Sequence, residues 1–314
     1  MRGVRLRRMA GALYHRINKP YYVFRPSQLW RRLRLSALEQ RSVARLPWGL
    51  EIEFNTAESI GNRLATNGVL DLEVTEALFR LVEPGEIAVD AGANIGYMTS
   101  IMALCVGPRG RVLAFEPHPD VFQRLLANAE RWDDDARTGT VSPRRTALGA
   151  RAGSATLRTS ESFASNEGSA TLVTADGPVD GADVRLHEVE LVRLDDAVSE
   201  EESVGVLKID VEGGELGVLE GARRLLGNGR VRDILFEEHR GYPAPTTQLL
   251  ESFGYTVLRP EYRLLGPWLS PASVQPSGRW RGDVSLLATL APERAVQRLA
   301  TRGWRALRRR RSDA

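Results

Sequence analysis

Residues 87–119 read IAVDAGANIGYMTSIMALCVGPRGRVLAFEPHP, two apolar runs that each close on an acidic residue. Asp90 ends the first run, just ahead of a Gly-Ala-Asn-Ile-Gly turn, and Glu116 ends the second. Between them, a helix-length apolar segment starts at Tyr97 and is stopped by Gly107-Pro108. Strand, glycine turn, helix, strand is the pattern of a parallel β-α-β unit. In such sheets ligands sit at the carboxyl ends of the strands, where glycine lets the backbone approach and a helix start offers free N–H groups. Asp90 and Glu116 both fall at those ends.

Working outward, the alternation continues. Upstream, RLPWGLEIEFN reads as a short hairpin with Trp48-Gly49 near its turn. A helix carrying Val74, Ala77, Leu78 and Leu81 follows and ends at Pro84-Gly85. Downstream, Val121, Phe122, Leu125, Leu126 and Ala129 mark a helix, and Thr140–Ala147 a strand. Residues 150–183, rich in Gly, Ser, Thr, Ala and Asp, break the rhythm and read as an insertion over the sheet's active edge, with strand-like pieces at Ser154–Arg158 and Ser169–Thr174. Strands are then expected at Val189–Leu194, Val204–Ile209, Asp233–Glu238, Tyr255–Leu258 and Val284–Leu290. Helices are expected through Leu216–Leu226 and at Thr246–Phe253. The expected fold is α/β, a doubly wound, mostly parallel, Rossmann-like sheet.

The chain has 314 residues, 42% of them hydrophobic, enough for one large core with appendages. Cys105 is its only cysteine, which excludes an intrachain disulfide or a thiolate metal cluster. No stretch of roughly 18 apolar residues occurs, so neither secretion nor membrane spanning is expected, and the expected location is cytoplasmic. The net charge of +3 hides an asymmetry. Residues 1–45 carry twelve Lys or Arg against Glu39, and residues 294–314 carry eight Arg against Asp313. The middle therefore holds 23 basic and 38 acidic residues, about −15. Both ends read as basic amphipathic helices: an arm over 1–45 and a tail over 291–314 around a body at 46–290. Val4, Met9, Leu13 and Ile17 mark the arm's apolar stripe; Val296, Leu299, Ala300, Trp304 and Leu307 mark the tail's. Such helices can dock on the acidic body or touch an anionic membrane. Packing with peripheral membrane contact as a secondary role is expected, and the negative body argues against nucleic acid.

A carboxylate at the end of the second strand suits the two hydroxyls of a ribose. The turn has Gly92, Asn94 and Tyr97 where a dinucleotide fingerprint wants three glycines, so close approach of a pyrophosphate is not provided for. Asp90 directly before the turn favours a ligand bearing an ammonium or sulfonium. S-adenosylmethionine has a ribose, an amino group and a sulfonium.

In KIDVEGGE, Lys208 and Asp210 share one face of a strand and Glu212 follows at its exit. Lys19 and Lys208 are the chain's only lysines. A buried Lys208 between carboxylates would stay protonated and orient Asp210, or be a structural ion pair. Methyl transfer to a hydroxyl needs a group that aligns the oxygen and takes its proton. Asp210 is the first candidate base and Glu212 the second; alternatively Asp210 touches only the cofactor and Glu212 caps the helix start. In LFEEH, Glu237, Glu238 and His239 raise the question of a metal, but their spacing is no ligand pattern and no metal is expected. His239 reads as a substrate partner or auxiliary base, and His118 as an exposed loop residue. Tyr262, Trp268 and Trp280 are expected to frame the acceptor pocket.

VDAGANIGYMTS, AFEPHP, TALG, LDD, LKIDVEGGELGVLEGA and LFEEH occur in the order and spacing that resembles the FkbM-type methyltransferases, over about residues 45–290. The resemblance implies a class I methyltransferase fold using S-adenosylmethionine, with O-methylation of a small molecule, sugar or glycan. It also implies that Asp90, Gly92, Asn94 and Gly96 hold the methionine part and Glu116 the ribose. The competing readings are an inactive module of this fold that binds a membrane surface or nucleic acid, and a nicotinamide-dependent oxidoreductase.

Overall fold

The structure is a computed structural model that describes residues 41–160, 171–173, 184–263, 265–274 and 285–307. The expectations for residues 1–40, for half of the second strand-like piece, for Trp280 and for the last seven residues lie outside these. A hairpin, β1 (Arg41–Arg45) and β2 (Glu51–Asn55), comes first, then helices α1 (Ser59–Asn67) and α2 (Leu72–Leu81). The deciding stretch folds as β3 (Ile87–Ala91), α3 (Tyr97–Val106) and β4 (Arg111–Phe115). Next come α4 (Pro119–Asp133), β5 (Thr140–Arg144), β6 (Thr146–Leu148), β7 (Gly153–Ser160), β8 (Thr171–Val173) and β9 (Val184–Val192). The second half holds α5 (Leu194–Ala197), β10 (Val204–Ile209), α6 (Glu215–Glu220), α7 (Arg223–Gly227), β11 (Val231–Glu237) and α8 (Pro245–Ser252). β12 (Thr256–Arg263), β13 (Gly266–Pro271), β14 (Ser285–Thr289) and α9 (Pro292–Leu299) complete it.

Eight strands form the main sheet, in the order β13-β12-β14-β11-β10-β3-β4-β5. β5, β4, β3, β10 and β11 are mutually parallel. β14 runs antiparallel to both β11 and β12, so β12 points the same way as the parallel five. Strand order reverses at β3, which has β4 on one side and β10 on the other, and the crevice of a doubly wound sheet opens at that switch. All six residues of β10 are buried, the near-continuous apolar run of a strand covered on both faces. One face packs on α2, α3, α4 and α9 through residues such as Leu78, Met102, Leu125 and Leu299. The other packs on α5 to α8 through Leu194, Leu219, Leu226 and Leu250.

Three expectations need correction. The arm was expected to be helical to residue 45, but 41–45 is strand β1, paired along its whole length with β2. Ile52 and Phe54 of β2 alternate into the core, and the strand they define needs a partner. The single strand over 140–147 is two. Pro143, which has no N–H, stands in edge strand β5, and Thr146–Leu148 leaves the main sheet to pair with β9. Among its described residues the insertion contributes β7 and β8 to a second sheet, β6-β9-β7-β8, completed by β6 before it and β9 after it, with β7 and β9 antiparallel from Gly153↔Leu191 to Ser160↔Val184. The tail does pack: Ala295, Leu299, Trp304, Ala306 and Leu307 are buried.

Candidate active site

A cavity of about 320 Å³ opens at the carboxyl ends of β3, β4, β10 and β11. Its floor is the turn between β3 and α3. Gly92 there has φ +76°, and a Cβ on it would lie 1.8 Å from the carbonyl oxygen of Asp210, so only glycine lets the turn sit against the end of β10. Gly92 and Ala93 donate backbone N–H bonds to the Phe115 carbonyl at 3.0 and 2.9 Å, tying the turn to β4. Asn94 takes the left-handed region at φ +50°, a conformation asparagine tolerates. Gly96, at φ +93°, packs where a Cβ would press on Leu125 and Trp132 at 2.9 Å.

Glu116 stands at the exit of β4, buried on the cavity wall. Its Oε2 accepts from the Asn94 N–H at 3.0 Å and its Oε1 from the His118 N–H at 2.9 Å. Burial pushes its carboxyl up to about 7, against the pull of these two N–H groups and of Lys208. Lys208 Nζ donates to the Gly92 carbonyl at 2.8 Å and lies 3.1 Å from Asp90 Oδ1 and 3.5 Å from Asp210 Oδ2. Burial alone would lower its pKa. The carboxylates of Asp90 and Asp210 overcome that and hold the ammonium above the ordinary lysine range. The Asp90 carboxylate is fully buried, accepts from Thr99 Oγ1 at 2.6 Å, and is not among the groups lining the cavity. It fixes Lys208 and the helix start from behind, where the resemblance implied a direct ligand contact.

Lys208, Asp210, Glu212 and His239, the four expected catalytic candidates, all line the cavity, and Glu237 lines it beside them. The Asp210 side chain is 38% exposed and within a ligand's reach. Glu212 has φ +52°, and it is Glu215, not Glu212, that accepts the Gly213 N–H, at 3.0 Å. His239 Nε2 lies 3.4 Å from Glu237 Oε2. Glu238 is buried, accepting from Thr246 Oγ1 and from the Arg240 N–H, which takes it out of any shared metal set with its neighbours. Among the described residues no three His, Cys, Asp or Glu side chains group as metal ligands.

His118 is not an exposed loop residue. It is buried, caps α4 by accepting the Val121 N–H at Nδ1, and stacks edge-on against His187 of β9 at 4.8 Å. Burial and His187 depress its pKa to about 4. Trp268 does not line the cavity. The mouth is framed instead by Ser59, Ile60 and Arg63 of α1 and by Leu70 and Asp71, with Arg63 and Asp71 ion-paired. β6 supplies Thr146, Ala147 and Leu148 to the lining, and the insertion supplies Leu157 of β7. Thr146 Oγ1 is buried there with no hydrogen-bond partner in the protein, while Phe115, Pro117 and Leu157 give that wall an apolar surface. Sequence periodicity carried no signal for α1 as a wall, because its place is set by long-range contacts: β2 is tied to α4 through Glu53–Asn128 and Glu51–Trp132, and Glu58 just ahead of α1 pairs with Arg124 of α4.

An apolar wall with an orphan hydroxyl, a buried carboxylate beside a glycine turn, and an acidic far side fit the nucleoside, ribose and cationic ends of S-adenosylmethionine. The Methyltransferase FkbM domain matches residues 90–257. A hexuronic acid methyltransferase from Haloferax volcanii is 33% identical over 185 residues, 57% of this chain and 66% of that protein. A 31-O-demethyl-FK506 methyltransferase from Streptomyces tacrolimicus is 32% identical over 203 residues, 56% of this chain and 75% of that protein. The crystal structure of a methyltransferase FkbM from Methylobacillus flagellatus aligns with 70% of this chain and 55% of its own, at 17% identity and a TM-score of 0.39. The domain match takes in more than half of the chain and runs from Asp90 through Glu116, Lys208, Asp210 and His239, so the chain belongs to the FkbM-type methyltransferase family.

Proposed function

We propose that this chain transfers the methyl group of S-adenosylmethionine to a hydroxyl of a small molecule, sugar or glycan. The observation that carries the reading is one cavity in which Glu116 and the Gly92 turn face Asp210 and Glu212. When bound, the cofactor supplies an electrophilic methyl carbon. Glu116 accepts the ribose hydroxyls, and Thr146 Oγ1 with the apolar wall receives the base. Lys208 keeps the turn in place by holding the Gly92 carbonyl, and it spaces Asp90 from Asp210. Asp210 would accept a hydrogen bond from the acceptor hydroxyl, orient its oxygen and take its proton, while the methyl carbon's bond to sulfur breaks and S-adenosylhomocysteine is the leaving group. Glu212, and His239 held by Glu237, position the rest of the acceptor. The names of the two relatives, one acting on a hexuronic acid and one a 31-O-demethyl-FK506 methyltransferase, support a hydroxyl-bearing acceptor.

Thermal stabilisation is the test. S-adenosylhomocysteine at a hundredfold excess over its dissociation constant should stabilise the protein by about 2.7 kcal/mol. Stabilisation by NAD instead, or by neither, would overturn the reading.

A further inference from the structure

The same edge of the sheet that carries the cavity also carries an exposed apolar hairpin tip. β12 runs parallel to β11, so its end at Arg263 lies on the cavity's side. Glu237, on the cavity wall, pairs with Ser285, and β12 pairs Leu258 with Leu287. Continuing that register, Pro260 is level with Glu237. The tip therefore stands three residues beyond it, about 10 Å at the rise of a strand. Leu265, 61% exposed, and Trp268, 45% exposed, are two of six exposed large hydrophobics among the described residues and fall within four residues of each other. The Arg263 guanidinium lies 4.8 Å over the Trp268 ring.

The tail reaches the same edge. The Gly303 N–H donates to the Leu265 carbonyl and Trp304 Nε1 to the Arg263 carbonyl. Leu307 packs on Val69 and Leu72, beside the Leu70 and Asp71 that frame the cavity mouth. Arg302 and Arg305 are exposed on this segment, and in the sequence Arg308, Arg309, Arg310 and Arg311 follow Leu307 directly.

We propose that the β12–β13 tip and the adjoining tail form a docking surface for an anionic phospholipid bilayer, with the cavity mouth facing the lipid. An exposed leucine and a tryptophan capped by Arg263, which also pairs with Glu261, beside a tail segment exposing Arg302 and Arg305, match the layers of such an interface: apolar side chains enter the acyl boundary and guanidinium groups meet headgroup phosphates. A nucleic-acid footprint needs the cations but gains nothing from an exposed leucine. Among the described residues no helix is long and apolar enough to cross a membrane, so the contact is peripheral. The surface is separate from the methyl-transfer reading and is tested without activity.

The experiment is co-sedimentation of the full chain with phosphatidylglycerol-containing and with pure phosphatidylcholine vesicles. Binding is expected to the anionic vesicles only, weakening with salt. Leu265→Ser with Trp268→Ser should weaken it by about tenfold or more, and Arg302→Ser or Arg305→Ser by about fivefold each. Val296→Ser, at an exposed apolar position on α9, should leave it unchanged, and unaltered melting temperatures show that the variants fold. Absence of binding to anionic vesicles, binding indifferent to the tip substitutions, or tip-dependent binding to polyuridylic acid in preference to vesicles would overturn the proposal.

Discussion

Glu116 is the residue whose charge state the fold leaves near neutrality. Its carboxyl is pushed up to about 7 because burial outweighs the two backbone N–H groups and Lys208. This makes a raised acid: the native state keeps its proton where the unfolded chain has lost it. Its contribution to stability is therefore fully present below about 4.5 and is lost as pH rises through about 7. Ribose hydroxyls donate to the ionised form, so the sign reverses for the ligand. Affinity for S-adenosylhomocysteine should tighten as pH rises toward 7 and level off above it. Glu116→Gln should flatten that profile and weaken binding at pH 8 by about 1.5–3 kcal/mol, as calorimetry across pH would read. Asp210→Asn separates chemistry from binding: it keeps the shape of the site, so cofactor affinity should hold while turnover falls about 10²–10⁴-fold. A variant that loses affinity but not turnover would move Asp210 to a binding role. At this scale the sequence was legible where a residue type is chemically costly, as with the lysine between two aspartates. It was silent where burial decides the surroundings: Asp90 is fully buried against Lys208, and His118, which reads as a loop histidine, is buried and caps a helix.

At the scale of elements, the turn between β3 and α3 carries the site because it touches both neighbouring strands. Gly92→Ala should both strain the left-handed φ and drive a Cβ into the Asp210 carbonyl 1.8 Å away, so the turn must leave the end of β10. The expected outcome is loss of S-adenosylhomocysteine binding and a lowered melting temperature. Gly85→Ala is the comparison: at φ +86° it carries the same conformational strain, but nothing lies within 4 Å, so only a loss of order 1–3 kcal/mol is expected and binding should persist. Equal effects in the two variants would show that backbone strain, and not the close approach to β10, explains the glycine. The β-α-β unit was legible because its period, its glycines and its terminal acids all agree. The second sheet was not, because strands such as β7 have mixed polar composition and are defined by eight long-range pairs with β9, which no local pattern encodes.

For the whole molecule, the C-terminal segment is a structural clamp as well as a basic tail. Arg80 of α2 is fully buried, pairs with Glu76 at 2.6 Å, and donates to the carbonyl oxygens of Arg298, Thr301 and Gly303. Glu76 in turn accepts the N–H groups of Arg305 and Ala306, each at 2.7 Å. Burial raises the Glu76 carboxyl, against the pull of those two N–H groups and of Arg80. The pair is thus satisfied only when residues 298–306 are in place, which ties the chain's end to the helix whose start adjoins the cavity mouth. Removing residues 292–314 should strip Glu76 and Arg80 of these hydrogen bonds, leaving them only each other, and expose the faces that Leu299, Trp304 and Leu307 cover. Each large side chain withdrawn from the core costs about 1.5–3 kcal/mol, so a truncated protein should fail to fold or melt far below the intact chain. Glu76→Leu, which strands Arg80 while keeping the tail's apolar contacts, should cost about 3–5 kcal/mol by denaturant titration. Removing only residues 308–314 leaves every one of these contacts intact and should leave the melting temperature where it was. If the short and long truncations instead melt alike, the Glu76–Arg80 pair finds other partners when residues 298–306 are gone, and the basic end contributes to surface binding alone.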